Sequence, residues 1–175
     1  MGRRNYLIEG VSGTGKTAVC HALRRRGFVA INGDRELAYQ GDPATGERLG
    51  ELGDGRGGDA EWRHGHHIWD VDKVRALAAR RDIEAAFFCG GCRNVGQFID
   101  LFDAVFVLEI DAETLGRRLD ARDADDWGKA GPERDLVLRL HATGEDTPGG
   151  VAVDATQPLG RVVDEILAHV GRPAP

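Results

Sequence analysis

Short apolar runs alternate along this chain with stretches whose hydrophobic positions recur every three or four residues. Runs of the first kind predict strands near residues 5–9, 28–32, 83–89, 104–110 and 150–154. Stretches of the second kind predict helices near 16–26, 69–80, 95–101, 112–122, 132–143 and 158–170. In the last of them Val162, Val163, Ile166, Leu167 and Val170 line one apolar face. Pro132 and Pro158 suit the first turns of the helices they open. Strand and helix in alternation define an α/β fold on a parallel sheet. At 175 residues the chain reads as a single domain over 1–175, long enough to bury a core. Residues 35–68 break the pattern, being polar, glycine-rich and aperiodic. This insertion follows the second strand, so it is expected over the carboxyl edge of the sheet, where open α/β folds bind ligands.

One junction between strand and helix carries specific chemistry. Gly10-Val11-Ser12-Gly13-Thr14-Gly15-Lys16-Thr17 fits the phosphate-loop pattern G-x-x-x-x-G-K-[ST]. Glycines let the backbone curl so that several N–H groups face one anion, and the following helix adds its positive dipole end. Lys16 would reach the β- and γ-phosphates, and the Thr17 hydroxyl would ligate Mg²⁺. The expected nucleotide contacts are Gly10, Ser12, Gly13, Thr14, Gly15, Lys16, Thr17 and Ala18.

Charge and composition remove several classes. The net charge is −6 and no basic stripe appears, which argues against nucleic acid as a partner. No apolar run approaches the roughly twenty residues a membrane helix needs. Three cysteines and an N-terminus that enters the first strand directly point to reduced thiols and a cytoplasmic setting. Glycine, at 25 residues, crowds into 41–67 and 144–150, which read as loops.

Three later features, with the phosphate loop, resemble small P-loop kinases of the nucleoside monophosphate kinase and shikimate kinase type. Arg118 and Arg122 stand four apart at the end of the helix after the fourth strand, so both guanidinium groups share one helix face. The resemblance places such a pair at the base of a lid, here 123–131, where it would steady the transferring phosphoryl group and make Arg118→Ala lower turnover more than ATP affinity. Thr156-Gln157-Pro158, after Asp154, is similar to the segment beside the adenine ring, although Thr156 also suits a helix cap. Cys89-Gly90-Gly91-Cys92-Arg93-Asn94 stands where these kinases grip the acceptor, which implies Gly90, Gly91, Arg93 and Asn94 as acceptor contacts. Cys89 occupies the place of an acid, so the second carboxylate for Mg²⁺ lies elsewhere. The Cys-Gly-x-Cys loop with Asn94, Phe102-Asp103, and Trp127-Gly128-Lys129 also resemble a group of short bacterial ATP-binding proteins of AAA type. The resemblance implies a three-layer P-loop fold with a five-stranded parallel sheet in the order 2-3-1-4-5 and a lid.

Asp34 closes the second strand, where shikimate-kinase-like enzymes contact the acceptor hydroxyl; it equally suits the N-cap of a short helix at 35–39. Arg35 and Arg63 read as solvated charge. His64, His66 and His67 with Cys89 and Cys92 lack the spacing of a zinc site, and no thioredoxin-like unit surrounds the Cys-x-x-C. Cys89 reads as a buried strand-end thiol. Trp62 and Trp69 read as packing, with stacking on an acceptor the alternative. The expectation is an ATP- and Mg²⁺-dependent kinase with Lys16, Asp34, Arg118 and Arg122 as catalytic groups and Lys129 as a further lid cation. Its acceptor would be a nucleoside, a nucleotide or another small hydroxyl-bearing metabolite, and the chain a monomer or homodimer. The rival is a nucleotide-binding switch with slow or no hydrolysis; a GTPase is disfavoured because no Asn-Lys-x-Asp occurs.

Overall fold

A computed structural model of the chain describes residues 4–49 and 59–170; the part of the 35–68 insertion at 50–58 lies outside the described residues. Five parallel strands form the main sheet: β1 (Arg4–Glu9), β2 (Val29–Asn32), β5 (Ala85–Cys89), β6 (Ala104–Glu109) and β7 (Val151–Asp154). Their spatial order is β2-β5-β1-β6-β7, which is the expected 2-3-1-4-5 counted along the main sheet. In register, Ile8 pairs with Cys89, Cys89 with Asn32, and Glu109 with Asp154, so these strand ends share one carboxyl edge.

Strand alternation sorts the core into two faces. Tyr6, Ile8, Phe87 and Phe106 pack against α1 (Lys16–Arg25), α5 (Ala112–Asp120) and α7 (Leu159–His169). Leu7, Ile31, Ala86 and Phe88 face α4 (Val71–Ala78) through Val74 and Ala78. Helix α6 (Gly131–Thr143) carries Pro132 in its first turn and ends at Gly144, and its Val137 joins the first face. The fold is thus the expected three-layer α/β arrangement. No helix among the described residues is long and apolar enough to cross a membrane.

Several elements differ from expectation. Asp34 does not cap a helix at 35–39: α2 runs Gly33–Glu36 with Asn32 at its N-cap, leaving the Asp34 carboxylate free to face the cavity beyond. The described part of the insertion has secondary structure of its own. It holds β3 (Ala38–Gln40), α3 (Ala60–Gly65) and β4 (His67–Trp69), and β3 pairs antiparallel with β4. Trp69 therefore ends a strand, and Asp70 caps α4 by accepting from Lys73 N at 3.1 Å. The helix expected at 95–101 is instead two 3₁₀ turns, because Phe98 adopts φ −150° to bury its ring parallel to Trp69. Pro158 stands at the N-cap of α7, outside the first turn, and Thr156 makes no cap; its hydroxyl donates to Asp154 at 2.6 Å.

Candidate active site

The phosphate loop leaves β1 at its carboxyl edge and runs straight into α1. Gly13 (φ 100°) and Gly15 (φ 107°) hold left-handed backbone that side chains rarely adopt, so the curl depends on them. Thr14 is buried and locks the turn, its hydroxyl donating to Val11 O at 2.8 Å. Lys16 Nζ donates to the carbonyls of Gly10 and Val11, so its ammonium lies along the loop itself. Thr17 is exposed on the first turn of α1.

Both arginines of α5 reach this loop, as four-residue spacing requires, but from different sides. Arg118 donates to Thr14 O at 2.8 Å and to Ala155 O at 2.6 Å, tying the loop to the segment after β7. Arg122 donates to Ser12 Oγ at 3.1 Å and also to the Trp127 carbonyl, tying the loop to the 123–131 segment. Burial holds the Arg122 guanidinium below its ordinary pKa, with Asp126 opposing. Lys129 donates to Asp120 O and lines neither cavity described below.

Two cavities flank the loop. The smaller, about 240 Å³, is lined by Thr14, Gly15, Ala18, Arg118, Gln157 and Leu159. Of the expected adenine-side residues only Gln157 lines it; Thr156 and Pro158 do not. The larger, about 370 Å³, is lined by Gly10, Ser12 and Lys16 on one side and by Asp34, Gly91 and Arg93 on the other. It is further lined by Arg63, His64 and His67 of the insertion, by Trp127, and by Leu136 and Leu140 of α6. Arg63 lies over the Trp127 ring at 4.7 Å and pairs with Glu133 at 2.8 Å, and Arg139 pairs with Glu61 at 2.7 Å. The insertion is thus tied to α6 by two ion pairs and to the 123–131 segment through Trp127.

Not every residue expected at the acceptor faces it. Asn94 is buried, with both halves of its amide on the Trp69 backbone, accepting at 3.0 Å and donating at 2.8 Å. It clamps β4 to the end of β5 and does not line the cavity, nor does Gly90. Trp69 is fully buried and Trp62 stacks on His66 at 4.3 Å, so the aromatic wall is Trp127. The histidines separate: His64 meets Asp146 at 3.1 Å, His66 meets Trp62 O at 2.7 Å, and His67 meets Asp34 at 3.2 Å. Cys89 is buried beside Cys20 of α1, and burial pushes its thiol well above the ordinary value. Burial likewise pushes Cys92 up to about 12. Asp103 accepts from Asn5 N at 2.7 Å, which gives the Phe102-Asp103 motif a structural duty in pinning β6 to β1.

Glu9 is the residue that sequence reasoning missed. It ends the central strand β1 immediately before Gly10, is 6% exposed, and lines the larger cavity. A Cβ at position 91 would collide with its carboxylate, so Gly91 is what makes room for it. Burial pushes its pKa up to about 7, opposed by Lys16 and Arg93. Asp34 differs. Burial raises it, but the hydrogen bond from His67 and the charge of Lys16 outweigh that and hold it below the usual carboxylate range. One ionised carboxylate and one poised near neutrality therefore face the same space.

A phosphate loop at the carboxyl edge of a five-stranded parallel sheet defines a P-loop α/β protein. The AAA_18 family model, described as an AAA domain, matches residues 7–137, more than half of the chain, and the chain belongs to that family. No curated protein sequence matches it. Among solved structures it is similar to a shikimate kinase from Bacteroides thetaiotaomicron, at 16% identity and TM-score 0.60 over 97% of this chain and 99% of that one. It is similar also to a sugar kinase from Janibacter sp. HTCC2649, at 20% identity and TM-score 0.52 over 95% and 94%. A deoxyadenosine kinase from M. mycoides, with bound dATP, gives 13% identity and TM-score 0.51 over 97% and 100%. At these identities the likeness concerns the fold.

Proposed function

We propose that this protein is an ATP-dependent small-molecule kinase. The observation that carries the reading is the shared lining of the larger cavity, where Lys16 and the start of the phosphate loop face Asp34 and Arg93 across one space. A phosphate-loop protein that only binds nucleotide has no need of a second cavity on the β2 side. Structural likeness to proteins named as shikimate, sugar and deoxyadenosine kinases agrees with it.

In this reading the adenine end of ATP lies by Arg118, Ala18 and Gln157, and the phosphates lie on the loop and Lys16. The acceptor hydroxyl oxygen bonds to the γ-phosphorus as the bond from that phosphorus to the β–γ bridging oxygen breaks. ADP departs with the electron pair, and the hydroxyl proton passes to Asp34, whose low pKa keeps it ionised. Arg122, bonded to Ser12 and to the Trp127 carbonyl, lines neither cavity, and in this reading it holds the start of the loop and the 123–131 segment around the transferred group. Magnesium suits the hard oxygen donors here, with the Thr17 hydroxyl and phosphate oxygens as its ligands. When bound it supplies charge neutralisation at the phosphates.

Arg118 bridges Thr14 and Ala155 on the outer flank, away from the acceptor cavity. Its placement changes what its loss should do. Arg118→Ala is expected to raise the KM for ATP about tenfold with a smaller fall in kcat; steady-state kinetics with ATP varied would show the split, and a fall in kcat alone would move the arginine to the reacting phosphoryl group. The kinase reading itself is tested by ATP turnover with and without pools of small metabolites. Stimulation of about a hundredfold or more over basal hydrolysis is expected. No response to any pool, together with nucleotide-dependent capture of a protein partner, would instead identify a switch.

A further inference from the structure

The polar lining of the acceptor cavity is sorted by charge. Apart from Lys16, which belongs to the donor phosphates, its cations among the described residues are already paired. Arg93 meets Asp146 at 2.6 Å, and Arg63 meets Glu133 at 2.8 Å. His64 is bonded to the same Asp146, and burial together with Arg93 holds it below its ordinary pKa, so it is neutral at pH 7. His67 is bonded to Asp34. Beside these pairs and the hydroxyls of Ser12 and Thr147, the cavity offers a guest several hydrogen-bond acceptors. Asp34 and Glu9 present carboxyl oxygens, and Gln40 Oε1 is buried with no donor against it. The facing wall, Trp127 with Leu140, is apolar.

A phosphate or carboxylate on the acceptor would meet an Arg93 whose charge Asp146 already balances, and would lie near Asp34 and Glu9. It would gain little from that guanidinium and would face like-charge repulsion as a desolvated anion. Hydroxyl or ammonium groups instead donate to the carboxyl oxygens of Asp34 and Glu9, and an apolar ring or chain face lies against Trp127. On the kinase reading above, we propose that the acceptor is a polyhydroxylated molecule bearing no anionic group, neutral or carrying an amine. Phosphoryl transfer then creates the acceptor's first negative charge, next to Asp34 and Glu9, and this repulsion favours product release.

Matched pairs test this: glucose against gluconate, adenosine against AMP, and glucosamine as the amine case. Binding is read by calorimetry on the whole chain and transfer by ADP release with Mg·ATP. The uncharged or amine member is expected to bind and react about a hundredfold better than its anionic partner. Asp146→Asn, which removes the charge that balances Arg93, is expected to raise the ratio of kcat/KM or affinity for the anionic member over the neutral member about tenfold. Preference for the anionic member overturns the proposal, as does the absence of binding by every compound. An Asp146→Asn variant with unchanged selectivity overturns the role given to the Arg93 pair. Neutral members that bind without ever being phosphorylated would uphold the ligand class and reject the kinase reading, so the two failures are distinguishable.

Discussion

Lys16→Ala is expected to abolish acceptor phosphorylation, lowering kcat/KM by about three orders of magnitude, while the chain keeps its fold. The expectation follows from how little else in the loop is charged. Gly10 to Gly15 supply only backbone dipoles, and the guanidinium groups of Arg118 and Arg122 are already spent on Thr14, Ala155, Ser12 and Trp127. Lys16 is the cation whose present partners are two carbonyls, Gly10 O and Val11 O, which it can exchange for phosphate oxygens. The substitution removes no core packing, because the buried residues of α1 are Val19, Cys20, Ala22 and Leu23. The measurement is phosphoryl transfer beside a thermal melt of the same variant. Unchanged turnover would remove the phosphate loop from the mechanism; a collapsed melt would mean the lysine serves the fold.

The phosphate loop was legible in the sequence because its geometry is local. A phosphate loop is built by consecutive residues, and glycines, lysine and hydroxyl all fall inside eight positions. The strand order was legible through resemblance, and the strands themselves through apolar runs such as Ala85–Cys89, buried on both faces. The larger cavity was not legible because it is assembled from distant segments. Asp146 reaches Arg93 from the turn after α6, and Trp127 lies under Arg63 of the insertion. Asn94 misled for a related reason. An amide in a glycine-rich loop after a strand resembles a ligand, and only the β3–β4 ribbon, hidden in a polar insertion, reveals that Trp69 needs both of its hydrogen bonds. Cys89 drew attention as a missing acid, yet strand alternation turns it towards Cys20 and α1 and away from the cavity. The signal for Glu9 was present: an acidic residue ending an otherwise apolar central strand, one position before the phosphate loop. A carboxyl buried there is costly, and such residues tend to serve the site.

That cost yields the second large effect. Glu9→Gln is expected to stabilise the folded chain at alkaline pH while weakening acceptor binding. In the folded state Glu9 titrates at about 7, against 4.5 for the ordinary group. Between those values the native chain holds a proton that the unfolded chain has lost, so stability falls as pH rises through this window. Above about 7 the whole penalty is present, and the shift corresponds to about 3 kcal/mol at most. Glutamine keeps the shape and one carbonyl acceptor but cannot ionise, so its stability should lack this fall. Urea melts from pH 4 to 8, in metal-free buffer, would show the two proteins converging at the acid end and separating towards pH 8, with the variant above. Parallel profiles would mean that Glu9 stays ionised in the fold, held by Lys16 and Arg93. If instead the profiles separate and the stabler variant binds acceptor less well, a single carboxyl is trading stability for function. It would then be kept at the end of β1 for the sake of the molecule on the other side of the cavity.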